Sequence, residues 1–283
     1  MRGAVERKRL LAAFTGLLLV IGIAACGDGG DDGDEIEQQR FDLVIGDPAP
    51  LSGDLAELGP SVEKATGLAL DQINSAIRET GAEVSVEIVH GNGGGGPAAA
   101  AQAAERMVGA NDASCLIGGW TAEDTLEIAQ SVSIPDGVLQ ISPTPGDEQV
   151  TALEDDELVN TVAPETVGAG QESAAFDQLY DSSKPTEVER APFAADTFDA
   201  TILCYLAAVA AGSADGKEMA LMLIDNTAPA GTEYSWQQLP DAVEALEAGE
   251  DINYMGASGP IDMDENGDAS ASTSTTGDST SSP

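Results

Sequence analysis

Residues 41–90 read FDLVIGDPAPLSGDLAELGPSVEKATGLALDQINSAIRETGAEVSVEIVH, and this stretch decides the fold. The apolar run Phe41–Asp47 predicts a buried strand. Between Pro60 and Gly81, apolar residues recur at three- and four-residue spacing, which predicts an amphipathic helix. Residues 83–90 alternate between apolar and polar side chains and predict a second strand. A strand, a helix and a strand in this order indicate a right-handed βαβ unit with parallel strands.

The same alternation continues along the chain. Residues 98–108 are rich in helix formers, residues 113–119 predict a strand, residues 121–132 a helix and residues 137–142 a strand. The sequence therefore predicts an α/β fold in which helices flank a parallel sheet. Ligands bind to such sheets at the carboxyl ends of the strands. The loops at those ends are the candidate ligand site: residues 48–59, 91–97, 118–121 and 142–147.

The acidic composition argues against some classes of partner. The 283 residues include 50 Asp and Glu but only 11 Lys and Arg, which gives a formal net charge of -39. Nucleic acid and anionic membrane surfaces are therefore not predicted as partners, because binding them requires basic groups that displace counterions. Hydrophobic residues make up 42% of the chain, enough for a folded core beneath an acidic surface.

Catalysis and cofactor binding find little support. The one histidine, His90, ends a predicted strand without an evident Ser or Cys partner, and a single histidine excludes multi-His metal sites. Residues 91–96 match the G-x-G-x-x-G dinucleotide fingerprint, but they follow the second predicted strand rather than the first. Residues 262–267 open like a calcium loop, yet Thr273 stands where a bidentate Glu is needed, so a polar turn is favoured. We predict a protein that is not an enzyme and uses no cofactor or metal.

The N-terminus carries the pattern of an export signal. Basic residues between Arg2 and Arg9 precede the apolar run Leu10–Ala25, which at 16 residues is short for a membrane span of roughly 20. The run ends at Cys26 after two alanines, and this ending resembles the lipobox of bacterial lipoproteins, in which the cysteine is lipidated and becomes the mature N-terminus. We predict that residues 1–25 are a lipoprotein signal peptide and that Cys26 anchors the chain to the outer face of the cell membrane or in the periplasm. An ordinary signal peptide with a chance cysteine is the alternative.

Six stretches, taken in order, resemble one protein family. They are IGDPAPLSGDLAELGPSVEKATGLALDQIN (45–74), CLIGGWTAEDTLEIAQ (115–130), GVLQISPTPGDEQVT (137–151), LVNTVAP (158–164), FAADTFDATILCYLAAVAAG (193–212) and GASGPIDMDENGD (256–268). Together they resemble the type I periplasmic binding proteins, and more narrowly the branched-chain amino acid binding proteins of ABC transporters. The resemblance implies two α/β lobes that close on a ligand held between them.

The resemblance also suggests how the chain is divided. Residues 40–164 match the first α/β lobe. The span that holds most of the second lobe in the family is here only about thirty residues, room for one βα unit at most, so residues 165–268 are predicted to form a truncated second lobe with the hinge-return elements. The apolar stripe of the helix near residue 200 is expected to pack on those remnants. The acidic, glycine-rich residues 26–39 predict a flexible tether, and the Ser/Thr-rich residues 269–283 a disordered tail.

The resemblance implies seven ligand-binding positions. The turn Trp120–Ala122 matches the family loop whose hydroxyl and backbone amides bind the ligand carboxylate. A helix N-terminus suits such an anion. The turn Ser142–Gly146 matches a family loop that ends in a ligand-contacting Thr, and Gly146 takes the place of that Thr here. Phe198 occupies the family's pocket-side Tyr position. The residues are Trp120, Thr121, Ala122, Ser142, Thr144, Gly146 and Phe198. Two simpler interpretations stay open: Trp120 covers the sheet edge, and Thr121 caps a helix.

Two functions follow from the resemblance. The first is a solute-binding lipoprotein of an ABC importer, which captures a small polar ligand such as a branched-chain amino acid or an amide and delivers it to a membrane permease. The second is a shortened derivative that keeps the first lobe and acts as a surface interaction lipoprotein or has no function. Exposed apolar surface, where the second lobe would cover the first, would favour the derivative.

Two cysteines remain beside Cys26. Outside the cytoplasm, Cys115 and Cys204 could form a disulfide. Each also lies in an apolar stretch, where a free cysteine behaves as a small buried hydrophobe. We favour the unpaired state.

Overall fold

The computed structural model describes residues 40–163, 174–264 and 266–270, which belong to one compact unit. The predicted signal peptide 1–25, the lipidated Cys26 and the tether 26–39 lie outside the described residues, as does the tail beyond Ser270. The predictions made for those segments therefore stay predictions.

A five-stranded sheet forms the centre of the fold, with the strands in the order β2-β1-β3-β4-β5. All four pairings are parallel, so the prediction of a parallel α/β sheet is confirmed. The strands are β1 (Phe41–Ala49), β2 (Val84–Asn92), β3 (Cys115–Ile117), β4 (Leu139–Ser142) and β5 (Val159–Thr161). The central strands β3 and β4 are buried on both sides, because helices cover both faces of the sheet.

Helices alternate with the strands in the first half of the chain, as the periodicity predicts. They are α1 (Gly59–Thr80), α2 (Pro97–Asn111), α3 (Ala122–Ile128), which runs through a π-helical turn (Ala129–Ser133) into α4 (Ile134–Asp136), and α5 (Glu148–Thr151). Helices α2 and α3 bury Met107 and Ile128 against Leu116 on one face of the sheet. Helix α1 buries Ala69 and Ile73 in the larger core on the other face.

The second half of the chain adds further helices and two small sheets. The helices are α6 (Ala174–Ser182), α7 (Ala194–Ala211), α8 (Gly216–Leu223) and α9 (Leu239–Glu247), which follows a 3-10 turn (Trp236–Gln238). Strands β6 (Thr232–Ser235) and β7 (Ile252–Met255) pair in parallel, and β8 (Asp262–Met263) and β9 (Ala269–Ser270) form an antiparallel hairpin. Ala269 and Ser270 are therefore part of this hairpin rather than of a disordered tail.

Helix α7 packs against the central sheet. It is long and apolar enough to cross a membrane by length and composition, but 78% of its apolar window is buried inside the protein. Its neighbours are α1, α8, α9 and strands β1, β3 and β4. The apolar stripe of α7 is therefore covered, and its partners include α8 and α9 from residues 165–268 as well as α1 and the central sheet. The described residues of 165–268 belong to the same compact unit as the central sheet and help to cover the face on which α1 packs.

Cys115 and Cys204 form a disulfide, which corrects the prediction of two unpaired thiols. Their Cα atoms are 6.1 Å apart, although 89 positions separate them along the chain. The bond links β3 to α7. The sequence could not reveal this pairing, because it depends on α7 covering the sheet beside β3 and not on any local pattern.

Candidate functional site

The candidate site lies at the carboxyl ends of β3 and β4. The chain leaves β3 through Gly118 and Gly119 and enters α3 at Thr121, which has an extended backbone (φ -138°, ψ 162°). The hydroxyl Oγ1 of Thr121 accepts a hydrogen bond from the amide of Asp124 at 3.1 Å, so the helix-cap interpretation is confirmed. The first amides of α3, those of Ala122 and Glu123, have no partner within a helix. The Thr121 cap thus leaves the amides of Ala122 and Glu123 as hydrogen-bond donors for an anion.

Two predicted site residues at the carboxyl end of β4 contact the loop after β3. Ser142 Oγ lies 3.0 Å from the carbonyl oxygen of Gly119 and 2.9 Å from Thr144 Oγ1. Thr144 Oγ1 donates a hydrogen bond to the same carbonyl at 3.3 Å. Both side chains are almost completely buried, at 1% and 5% exposure. Their hydroxyls therefore hold the two loops together and are occupied within the protein.

The buried side-chain amide of Gln140 supports the contact between these two loops, and the sequence analysis did not predict it. Gln140 Nε2 donates to the carbonyl oxygens of Gly118 at 3.0 Å and Thr125 at 3.1 Å, while its Oε1 accepts from Ser133 Oγ at 2.7 Å. Gln140 is fully buried in β4. A long polar side chain inside an otherwise apolar strand was the available signal, because a buried amide must be hydrogen-bonded.

Trp120 and Phe198 serve the core. Trp120 is 5% exposed, and its indole Nε1 donates to the carbonyl oxygen of Pro48 at 3.2 Å. It packs with Ala49 and Val62, so the structure matches the interpretation that it covers the sheet edge. Phe198, the expected pocket-side residue, is fully buried on α7. Its ring centroid lies 5.2 Å from that of Phe176 and 5.4 Å from that of Trp236.

Gly146 faces a carboxylate that the sequence did not predict there. A Cβ atom at residue 146 would lie 2.6 Å from Asp268 Oδ1, so a side chain at this position would require the Asp268 carboxylate to move. Asp268 accepts hydrogen bonds from Thr161 Oγ1 at 2.9 Å and Thr151 Oγ1 at 2.5 Å. These bonds attach the β8-β9 hairpin to the edge of the sheet at β5. The stretch 256–268, which resembles a family hairpin, includes Asp268, but the resemblance did not predict which residues Asp268 contacts.

The glycines of residues 91–96 are explained by packing. A Cβ atom on Gly93 would lie 2.4 Å from the carbonyl oxygen of Pro48, and one on Gly94 would lie 2.1 Å from that of Ser52. The loop after β2 therefore lies directly against the loop after β1. Close backbone approach accounts for these glycines without a dinucleotide.

Comparisons with known proteins agree with this geometry. Residues 43–146 match the family model of periplasmic binding proteins. Leucine-binding protein LivK of Thermotoga maritima superposes with a TM-score of 0.53 at 16% identity, covering 80% of this chain and 93% of LivK. LivJ of Streptococcus pneumoniae, solved with isoleucine, gives 0.57 at 15% identity, covering 81% and 94%. A solute-binding protein of R. palustris, solved with benzoate, gives 0.57 at 13% identity, covering 81% and 91%. No curated protein sequence matches the chain.

The fold is that of the type I periplasmic binding proteins. The described residues form one compact unit, and the loops after β3 and β4 lie at the end of the sheet where ligands of α/β proteins bind. Of the predicted site residues, Thr121, Ala122, Ser142 and Thr144 come together there. Gly146 lies beside Asp268, at the β5 side of the same end.

We expect Gly119→Ala to disrupt this corner of the fold. The new Cβ atom would lie 2.5 Å from both Asp124 Cβ and Thr125 N, and the backbone of α3 cannot easily yield. The expected loss of unfolding free energy is about 1–3 kcal/mol, measured by urea denaturation. Gly67→Ala is the matched control, because its Cβ atom meets nothing within 4 Å on α1. The control should be neutral or stabilising, and an equal loss in both variants would contradict the steric argument.

His90 has a partner that the sequence did not reveal. His90 Nδ1 lies 2.8 Å from Asp47 Oδ2, at the point where β1 and β2 place the two residues side by side. Asp47 is fully buried, and its Oδ1 has no hydrogen-bond partner among the described residues. Burial raises the pKa of the Asp47 carboxyl. The hydrogen bond to Asp47 raises the pKa of the His90 imidazole.

This pair predicts a pH dependence of stability. Because the folded-state pKa of His90 is raised, its stabilising contribution is fully present below the ordinary pKa of about 6.5 and is lost as pH rises through the folded value. Urea denaturation between pH 5.5 and 8.5 should show this decline. His90→Gln should flatten the part of the decline above about pH 6.5, since the chain has one histidine and the pKa of Asp199 is about 6. Glu87→Gln, an exposed change on the same strand, should keep the decline, and an unchanged profile in His90→Gln would refute the assignment.

Proposed function

We propose that the protein is an extracytoplasmic solute-binding lipoprotein of an ABC importer, anchored through Cys26. It binds a small polar ligand, such as a branched-chain amino acid or an amide, at the carboxyl ends of β3 and β4. The observation that carries the proposal is the convergence of residues 118–122 with Ser142 and Thr144 on a type I periplasmic-binding-protein fold. This fold also supports a membrane permease as the partner.

The chemistry of the corner favours a ligand with a carboxylate. Isoleucine and benzoate, the ligands in two of the superposed structures, both carry that group. The amides of Ala122 and Glu123 begin a helix, where unpartnered N–H groups and the helix dipole attract an anion. Asp124 lies in the same helical turn, and burial raises the pKa of its carboxyl. We therefore assign carboxylate binding to the backbone of α3, with Thr121 holding that backbone in place.

Ala122→Pro is a selective test of this assignment. Proline removes one backbone donor, yet it suits the first helical position, and the extended backbone of Thr121 fits a residue before proline. Titration calorimetry with leucine, isoleucine, glutamine and benzoate should identify a saturable ligand. Ala122→Pro should lower its affinity about tenfold, the effect of roughly 1.4 kcal/mol, without changing the melting temperature.

Thr121→Ser is the control, because it keeps the capping hydroxyl and should bind normally. A cooperative melt with no binding of any compound would reject the proposed function. Equal affinity in Ala122→Pro and the original protein would reject only the assignment of the ligand carboxylate to α3.

A surface interaction lipoprotein is the second candidate, and one observation favours it. The described residues build a single lobe, so the opposite wall that would close over a ligand is not among them. The exposed apolar surface that would also favour it is largely missing among the described residues, because Leu55, Leu58 and Phe193 pack against the cluster that contains Trp120. Among the described residues, the large hydrophobic side chains that are exposed are Leu51 and Leu221. Failure of the ligand panel together with a cooperative melt would favour this candidate.

A further inference from the structure

A cavity of about 240 Å³ lies at the opposite end of the sheet from the candidate ligand site. It is found where β1 and β2 begin and where α7 and α9 end. It is lined by Phe41, Ala82, Glu83, Val84, Val209, Ala210, Ala211, Gly212, Leu246 and Glu247. We call it the amino-end cavity. Its volume lies below the roughly 300–1,000 Å³ of typical ligand pockets, which suits a ligand smaller than most drugs.

The lining of the amino-end cavity combines an apolar wall with negative charge. Val84, Val209 and Leu246 contribute aliphatic surface, while Glu83 and Glu247 contribute carboxylates at the exposed rim. No lysine, arginine or histidine is among the lining residues. Neither carboxylate forms an ion pair within the part of the chain that the structure describes. Such a lining favours a molecule with an apolar body and a positive head.

A buried hydroxyl beside the cavity points the same way. Tyr205 lies one turn before Val209 on α7 and is fully buried, yet its OH has no hydrogen-bond partner among the described residues. Burial raises its pKa, and the nearby charge of Glu247 raises it further. A buried hydroxyl without a partner costs stability. Tyr205 is not among the lining residues, but the effect of Glu247 on it shows that the charge of this carboxylate reaches the α7 side of the cavity.

We propose that the amino-end cavity is a second binding site, which takes a small amphiphilic cation such as a primary alkylammonium. The alkyl chain lies against Val84, Val209 and Leu246, and the ammonium group is held by the carboxylates of Glu83 and Glu247. The site is independent of the proposed function, because its lining shares no residue with the loops after β3 and β4.

Three probes of equal chain length test the charge requirement. Hexylammonium, 1-hexanol and hexanoate are titrated into the purified protein by NMR or calorimetry at low salt. Hexylammonium should bind at least tenfold more tightly than hexanol, hexanoate should not bind, and added salt should weaken hexylammonium. Equal binding of all three probes, or of none, would overturn the proposal.

Variants then locate the site. Ala210→Leu fills the cavity and should abolish hexylammonium binding, while Glu247→Gln should weaken it about fivefold, the upper effect of an exposed ion pair. Glu250→Gln is the matched control, because this exposed glutamate lies just beyond α9 and outside the lining. If Glu250→Gln weakens binding as much as Glu247→Gln does, the attraction is only that of an acidic surface, and the proposal fails. The Glu247 comparison stands even if Ala210→Leu does not fold.

Discussion

Asp199→Ala is expected to lose about 3–5 kcal/mol of unfolding free energy at pH 7, because each buried donor left without its carboxylate acceptor costs roughly 1–3 kcal/mol and the losses at one site are not additive. Asp199 is fully buried on α7. Its Oδ1 accepts hydrogen bonds from Tyr254 OH at 2.8 Å and the Ala257 amide at 2.7 Å, and its Oδ2 accepts from the Ser258 amide at 2.8 Å and Ser258 Oγ at 2.7 Å. Removing the carboxylate leaves these donors buried without an acceptor.

Asp199→Asn should also be destabilising, because an amide NH₂ group must face one of two backbone N–H donors. Burial raises the pKa of Asp199 to about 6, so the ionised carboxyl is less favourable in the folded state. The contribution of protonated Asp199 to the free energy of unfolding is fully present at low pH and declines as pH rises from about 4 towards 6. Asp199→Asn should remove this decline. Urea denaturation from pH 3.5 to 7.5 measures both effects. Asp71→Asn, exposed on α1, is the control, and an Asp199→Ala stability equal to that of Asp71→Asn would refute the role of Asp199.

Replacing Cys115 and Cys204 together by alanine is expected to lower the unfolding free energy by about 4–5 kcal/mol. The disulfide closes a loop of 89 residues, and the chain-entropy estimate for that length falls in this range, with roughly 2–4 typical of measured disulfides. Both sulfurs are fully buried between β3 and α7, so no surface contact compensates. Thermal and urea denaturation of the oxidised protein and the double variant measure the loss.

The single variants distinguish this explanation from a packing defect. Cys115→Ala and Cys204→Ala should each be about as unstable as the double variant, because either change breaks the same bond. A reducing agent should destabilise the original protein and leave the double variant unchanged. If mass spectrometry finds free thiols at both Cys115 and Cys204 in the oxidised protein, and reductant has no effect on stability, the disulfide is contradicted.

The candidate site was only partly predictable. Strand ends and a helix start identified residues 118–122 and 142–147 as facing loops, and the hydrogen bonds of Ser142 and Thr144 to Gly119 place those loops together. The support from Gln140 and the carboxylate of Asp268 beside Gly146 were not predicted. Each depends on a contact between elements that no local pattern encodes.

The aromatic-Asp-Ala motif on α7 shows the same limit. Its resemblance to a family motif suggested that Phe198 lines a pocket, whereas the structure buries Phe198 in an aromatic cluster and gives Asp199 the larger role of holding residues 257–258. A motif marks a constrained position, but the partners that surround it decide whether the constraint comes from a ligand or from the core.

The amino-acid sequence was sufficient to predict the α/β class, the parallel order of the first strands and helices, and the loops where a ligand would bind. Apolar residues recur every second position in a strand and every three to four positions in a helix, so each of these features can be recognised within a short segment. The tertiary structure alone decided that α7 covers the first sheet, that Cys115 bonds to Cys204, and that His90 meets Asp47. Periodicity shows which side of a helix or strand is apolar. It does not show which distant surface will cover that side, because this choice depends on the packing of the whole chain at once.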